Sequence, residues 1–142
     1  MRRIISLAAI SLLIFGCWWI FFKPQEDAEQ KSTAKGAPMV SVVLPASFTE
    51  QEQIGETAFN AKCAVCHGDN AAGQDGIAPP LIHKIYEPSH HGDTSFQLAA
   101  MNGVQAHHWP FGNMPAVEGI TPSDITNIIA YVRAIQRANG IN

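Results

Sequence analysis

A second closely spaced pair of cysteines is absent from this chain, and so is a pattern that reads as a run of alternating strands. Three cysteines occur in 142 residues; Cys63 and Cys66 stand in one short run, and Cys17 lies in an apolar N-terminal stretch. A structural zinc site takes four ligands, usually including a second close pair, so one built here would have to recruit His90, His91, His107 or His108. A dithiol oxidoreductase needs surrounding strands and crossover helices, and no such pattern is present. Excess positive charge is lacking too. Residues 48–142 carry four basic and nine acidic side chains, a net of −5, which argues against a nucleic-acid partner. The length leaves room for one small domain.

What is present is Cys63-Ala64-Val65-Cys66-His67. Two thiols and an imidazole within one turn of backbone form the arrangement that holds a haem covalently, with two thioether bonds at the porphyrin edge and the ring nitrogen beneath the iron. The run predicts one covalently bound haem c, with Cys63 and Cys66 as attachment points and His67 as axial ligand. Zinc and dithiol chemistry are the other uses of a C-x-x-C pair, and both lack the rest of their pattern.

Residues 4–22 carry no charge and are mostly Ile, Leu, Phe, Trp and Ala. As a helix rising about 1.5 Å per residue they span about the 30 Å of a bilayer's hydrocarbon core. Arg2 and Arg3 before the stretch, against Lys23 and then Glu26 and Asp27 after it, keep the N-terminus cytoplasmic by the positive-inside rule. Residues 1–22 are therefore expected to be a transmembrane signal-anchor in a bacterial inner membrane, with the remainder in the periplasm. No small-residue cleavage site follows Phe22. Gly16-Cys17 faintly resembles a lipid-attachment box, but Phe15 is too bulky for that pattern and apolar residues follow Cys17. Residues 23–47 read as a polar tether, in which residues 39–44 have the alternative of packing along the domain.

Residues 48–142 are expected to be all-α. Thr49 with Glu52 is a capping box opening a helix that presents Ile54, Ala58 and Phe59 on one side. Gly55 on that stripe costs about 1 kcal/mol against alanine, which suggests that another backbone or ring approaches closely. Thr121 caps a terminal helix with Pro122 at its first position, Asp124 near its N-terminus, and Ile125, Ile128, Ile129, Val132 and Ile135 at helical spacing. Arg133 and Arg137 lie toward its C-terminal dipole, and Tyr131 borders the stripe as a candidate to fill the notch at Gly55. Between them, Thr94 with Gln97 predicts a short helix stopped by Asn102-Gly103. The remaining stretches are loops dense in Gly, Pro, Asn and His, suited to wrapping a flat cofactor.

The other axial position decides the chemistry, because a protein sulfur closes the iron and favours outer-sphere electron transfer. Met39 lies in the tether, and Met101 reads as a core methionine filling a gap in its short helix. Met114, in Phe111-Gly112-Asn113-Met114-Pro115, stands in a rigid loop between two helices and is the expected ligand.

The order of Gly55 and Phe59, C-x-x-C-H, Pro79 and Leu81, a short helix, Met114-Pro115 and a terminal helix with Tyr131 resembles the class I cytochromes c. The resemblance covers nearly all of residues 50–138. It implies an all-α fold of three to five short helices wrapped around one haem, a tight crossing of first and last helices at Gly55, Phe59 and Tyr131, and Pro79, with Pro80 the alternative, accepting a hydrogen bond from the axial imidazole. Trp109 is a further cofactor-binding candidate, through a haem propionate.

The resulting expectation is an electron carrier rather than an enzyme. It would take single electrons from a quinol-oxidising complex or dehydrogenase and pass them to a terminal oxidase or reductase. A haem enzyme or sensor with a displaceable Met114, and a fixed subunit of a larger respiratory complex, are the alternatives. The pairs His90-His91 and His107-His108 flank the short helix. Four imidazoles would suit copper or zinc, but adjacent residues rarely aim both rings at one metal, so the expectation is loop histidines that make the potential fall as pH rises, without a second metal.

Overall fold

The computed structural model describes residues 34–142. The expected membrane anchor, with Cys17, Trp18 and Trp19, and the first part of the tether lie outside the described residues. Among the described residues no helix is long and apolar enough to cross a membrane.

Among the described residues four α-helices appear in chain order: α1, Glu50–Lys62; α2, Ala64–His67; α3, Asp93–Asn102; and α4, Pro122–Ala138. Short 3-10 turns cover Asp69–Ala71 and Lys84–Tyr86, and no strand is formed among the described residues. Helix α1 begins at the expected capping box: the Thr49 hydroxyl accepts from Glu52 N–H, and the Glu52 carboxylate accepts from Thr49 N–H at 2.8 Å. Helix α4 begins the same way at Thr121 and Asp124, with Pro122 in its first turn.

The core is the crossing of α1 and α4. Phe59, Tyr131, Val132 and Ile135 are fully buried, joined by Ile128 and Ile82. A Cβ on Gly55 would collide with the Asn127 carbonyl and come within 3.0 Å of Tyr131 Cβ, so this glycine permits a close approach of helix backbones. The notch is thus filled by the α4 main chain first and by Tyr131 second. The tyrosine ring packs against Phe48 and Phe59, with centroids 5.3 and 5.5 Å away. Ile54, expected on the buried stripe, is 50% exposed; the face turned to α4 runs through Gly55 and Phe59, one helical turn apart.

Two further expectations are corrected. Helix α3 starts at Asp93 with Gly92 as N-cap and no side-chain cap, so the Thr94–Gln97 box does not form. Asp93 is drawn into the first turn and paired with Arg133 at 2.9 Å. Arg133, in the C-terminal half of α4, is 8% exposed and donates to Asp93, to the carbonyls of Tyr86 and His91, and to Gln136. Burial of a guanidinium requires this density of acceptors. Finally, residues 36–43, assigned to the tether, are hydrogen-bonded to the domain, the alternative raised for residues 39–44. Gly36 N–H donates to Asp75 O at 2.8 Å, Met39 N–H to Ala72 O at 3.1 Å, and Val43 exchanges two bonds with the Asn139 side chain. Val40 and Val42 pack on the core, which gives the segment an apolar reason to dock.

Candidate functional site

Cys63 ends α1, Cys66 lies within α2, and His67 closes it. Cys66 is exposed, Cys63 half-buried and His67 buried. This short turn is held from outside. The Gln74 side chain donates to the carbonyls of Ala64 and Val65 at 3.2 and 3.0 Å, and Gly73 N–H donates to His67 O at 2.7 Å. Asn70 and Ala71 follow with positive φ, 54° and 61°, a conformation that costs an alanine about 1–2 kcal/mol. It is held by Leu81 N–H donating to Ala71 O and by the Tyr131 hydroxyl donating to Asn70 Oδ1.

His67 Nδ1 lies 2.9 Å from the Pro79 carbonyl oxygen. A carbonyl only accepts, so Nδ1 carries the proton and the lone pair of Nε2 is left for another partner. Burial, the larger effect, pushes the imidazole pKa down, and the Pro79 bond partly opposes it. Desolvation pushes the Cys63 thiol up to about 11, with Cys66 adding to the shift. A redox dithiol needs a depressed thiol pKa, so this environment runs against that chemistry.

Met114 is fixed through its main chain. It exchanges both hydrogen bonds with Val104, at 2.9 and 3.0 Å, in an isolated antiparallel bridge that closes the loop between α3 and α4. Gly103, with φ +77°, makes this possible: a Cβ there would stand 2.6 Å from Met114 O. Across the loop, Asn113 Oδ1 accepts from Ala106 N–H at 2.9 Å. Met114 itself is half-buried. Met101, expected as a core filler, is 54% exposed, and Leu98 beside it 53%. Helix α3 has no buried residue at all.

Trp109 stacks on Phe111 at 5.9 Å and meets the His83 ring edge-on at 5.3 Å. Its indole Nε1–H is shielded from solvent and makes no hydrogen bond of normal geometry. The Tyr86 hydroxyl lies near enough to feel it: burial raises the tyrosine pKa and the indole partly offsets that.

Several supporting residues were not legible in the chain. Gln136, fully buried, donates to Leu81 O at 2.8 Å and Tyr86 O at 3.2 Å, so with Arg133 it ties residues 81–91 to α4. The available signal was a polar side chain beside Ile135 on an otherwise apolar face. The four loop histidines do converge: the ring centroids of His90 and His108 are 5.5 Å apart, and those of His91 and His107 6.0 Å.

Comparison with known proteins supplies an independent reading. The family model described as Cytochrome c matches residues 52–136. The chain is 32% identical over 124 residues to the Cbb3-type cytochrome c oxidase subunit CcoP of Rubrivivax gelatinosus, an alignment covering 80% of this chain and 38% of that protein. The chain therefore spans well under half the length of that relative. No solved structure gives a significant match.

Proposed function

Since the chain belongs to the cytochrome c family, we propose that it is a membrane-tethered monohaem electron carrier, held by residues 1–22 and facing the periplasm. Haem c, bound covalently in this family, supplies one-electron exchange between ferric and ferrous iron. Cys63 and Cys66 would form the thioethers, and His67 Nε2 and the Met114 sulfur would hold the iron.

The observation that carries this reading is the hydrogen bond from His67 Nδ1 to Pro79 O at 2.9 Å in a buried setting. It orients the ring, selects the tautomer with a free Nε2, and makes that nitrogen a better donor to a metal. The donor set fits the group. Two thiols three residues apart precede that imidazole, a thioether sits in a braced loop, and Trp109 offers a shielded indole N–H that suits a propionate oxygen. The exposed apolar side chains of Leu98 and Met101 supply surface that a porphyrin face would cover. Ligation by a sulfur and an imidazole should raise the potential relative to two imidazoles.

Donors would be a quinol-oxidising complex or dehydrogenase, and acceptors a terminal oxidase or reductase. The tether between residues 23 and 35, which excludes the docked segment, would confine the domain near membrane partners and raise its effective concentration. A second reading, a fixed subunit of a respiratory complex, is favoured by the similarity to a named oxidase subunit.

Fractionation of membranes carrying the full chain tests the proposal. Haem-stained protein should require detergent for release and should exchange electrons with membrane oxidases. Release by salt alone would overturn the anchor, and copurification at fixed ratio with an oxidase would replace the carrier with the subunit.

A further inference from the structure

His90, His91 and His108 each offer one ring nitrogen, and these atoms all lie within 4.8 Å of one another. Among the described residues this is the set of His, Cys, Asp or Glu ligand atoms that gathers in this way; the Cys63–His67 run does not. A tetrahedral ion with metal–nitrogen bonds of about 2.0–2.1 Å needs ligand nitrogens about 3.3 Å apart. His90 and His108 are exposed and His91 half-buried, so modest side-chain rotations supply the difference.

Part of this site is built in advance. His91 Nδ1 lies 2.6 Å from Ile85 O, so Nδ1 carries the proton and Nε2 is free to ligate. The backbone under that ring is fixed as well: His91 O accepts from Arg133 Nη2 at 2.6 Å, and the amides of His90 and His91 both donate to Glu87 O. Arg133 is itself buried and paired with Asp93. This pattern, a histidine whose second nitrogen is held by a carbonyl, is how proteins orient metal-binding imidazoles. The opposing wall is the 104–114 loop, braced by the Val104–Met114 bridge and by Asn113. His107 completes the ring cluster, 4.1 Å from His108 by centroid and hydrogen-bonded through Nδ1 to Gln105 O.

We propose that His90, His91 and His108 bind one divalent transition-metal ion of the copper or zinc class, with water in the remaining position. Imidazole without thiolate suits both ions. A bound ion would pin the turn before α3 to the loop that carries Trp109 and Met114. The expectation of unmetallated loop histidines rested on their solvation, on a propionate contact and on adjacent rings diverging. Here only His90 and His91 are adjacent, and the third ligand comes from across the fold.

The test uses chelator-washed, haem-loaded protein titrated separately with Zn²⁺ and Cu²⁺, with metal content measured after gel filtration. One equivalent of either ion should be retained, and Cu²⁺ should bind more tightly than Zn²⁺. His91→Gln and His108→Gln should each weaken binding by at least about tenfold, while haem content and helicity stay unchanged. Should His91→Gln disturb the Ile85 turn, the exposed His90→Gln and His108→Gln variants carry the comparison. Retention of much less than one equivalent, or equal retention by the His90→Gln/His108→Gln double variant, would overturn the site. The readout is metal other than iron, so failure here leaves the haem ligands unaffected, and a wrong Met114 assignment leaves this result standing.

Discussion

Helices α1 and α4 cover their apolar faces with each other, whereas α3 leaves its own largely uncovered by protein. At the α1–α4 crossing Phe59, Tyr131, Val132 and Ile135 are fully buried, and Gly55 removes the one side chain that would hold the backbones apart. On α3, Leu98 and Met101 are more than half exposed. The difference separates a framework that protein atoms close from a side suited to closure by a flat apolar cofactor. A domain this small gains little from a purely protein core, and a covalent haem adds apolar area without adding chain.

The largest effect should come from breaking the attachment. Cys63→Ser with Cys66→Ser should abolish haem staining and leave no pigment that survives acidified organic solvent. Hydrogen exchange should then accelerate across α3 and residues 104–114, while α1 and α4 keep residual protection. Equal loss everywhere would show that the two sides are not independent.

On the framework side, Phe59→Ala should cost about 3–5 kcal/mol as a large cavity in the core, read as a lower melting temperature. Gly55→Val should cost about 1–3 kcal/mol or more, because the new side chain meets the Asn127 carbonyl and forces the helices apart. Both proteins, while folded, should retain the parent haem spectrum. A changed spectrum from Gly55→Val would mean that the crossing also sets the ligand geometry.

Smaller again is Thr49→Ala, which removes one half of the α1 capping box and should lower stability by about 1 kcal/mol. Electron transfer with a basic soluble partner should slow modestly with added salt, since charge steering is screened beyond about 8 Å at physiological ionic strength. A salt-independent rate would favour an apolar docking patch or a fixed partner.

The framework was legible because its signals are local. Thr49 and Thr121 announce helix starts through caps that need only three following residues, and the α4 isoleucines repeat at the helical period. The Cys63–His67 run was legible for the same reason, and Pro79 only through the family resemblance. Contacts that depend on chain returning from far away were not legible. The docking of residues 36–43 on Ala72, Asp75 and Asn139, open only as an alternative for residues 39–44, uses backbone groups that every residue has. The burial of Arg133 depends on carbonyls 42 and 47 residues distant. Asp93, the first residue of α3, is paired with that same arginine, whereas the meeting of His90 and His91 with His108 was open from their placement on either side of the helix.

The central proposal is that His67 and Met114 would hold one haem iron, with a protein sulfur closing the site. Optical spectra and redox titrations of Met114→Ala and Met101→Ala test it most directly. The account predicts that Met114→Ala loses the sulfur-to-iron charge-transfer band and shifts the potential downward, while Met101→Ala keeps both nearly intact. The opposite pattern, or an unchanged band in Met114→Ala, would contradict it.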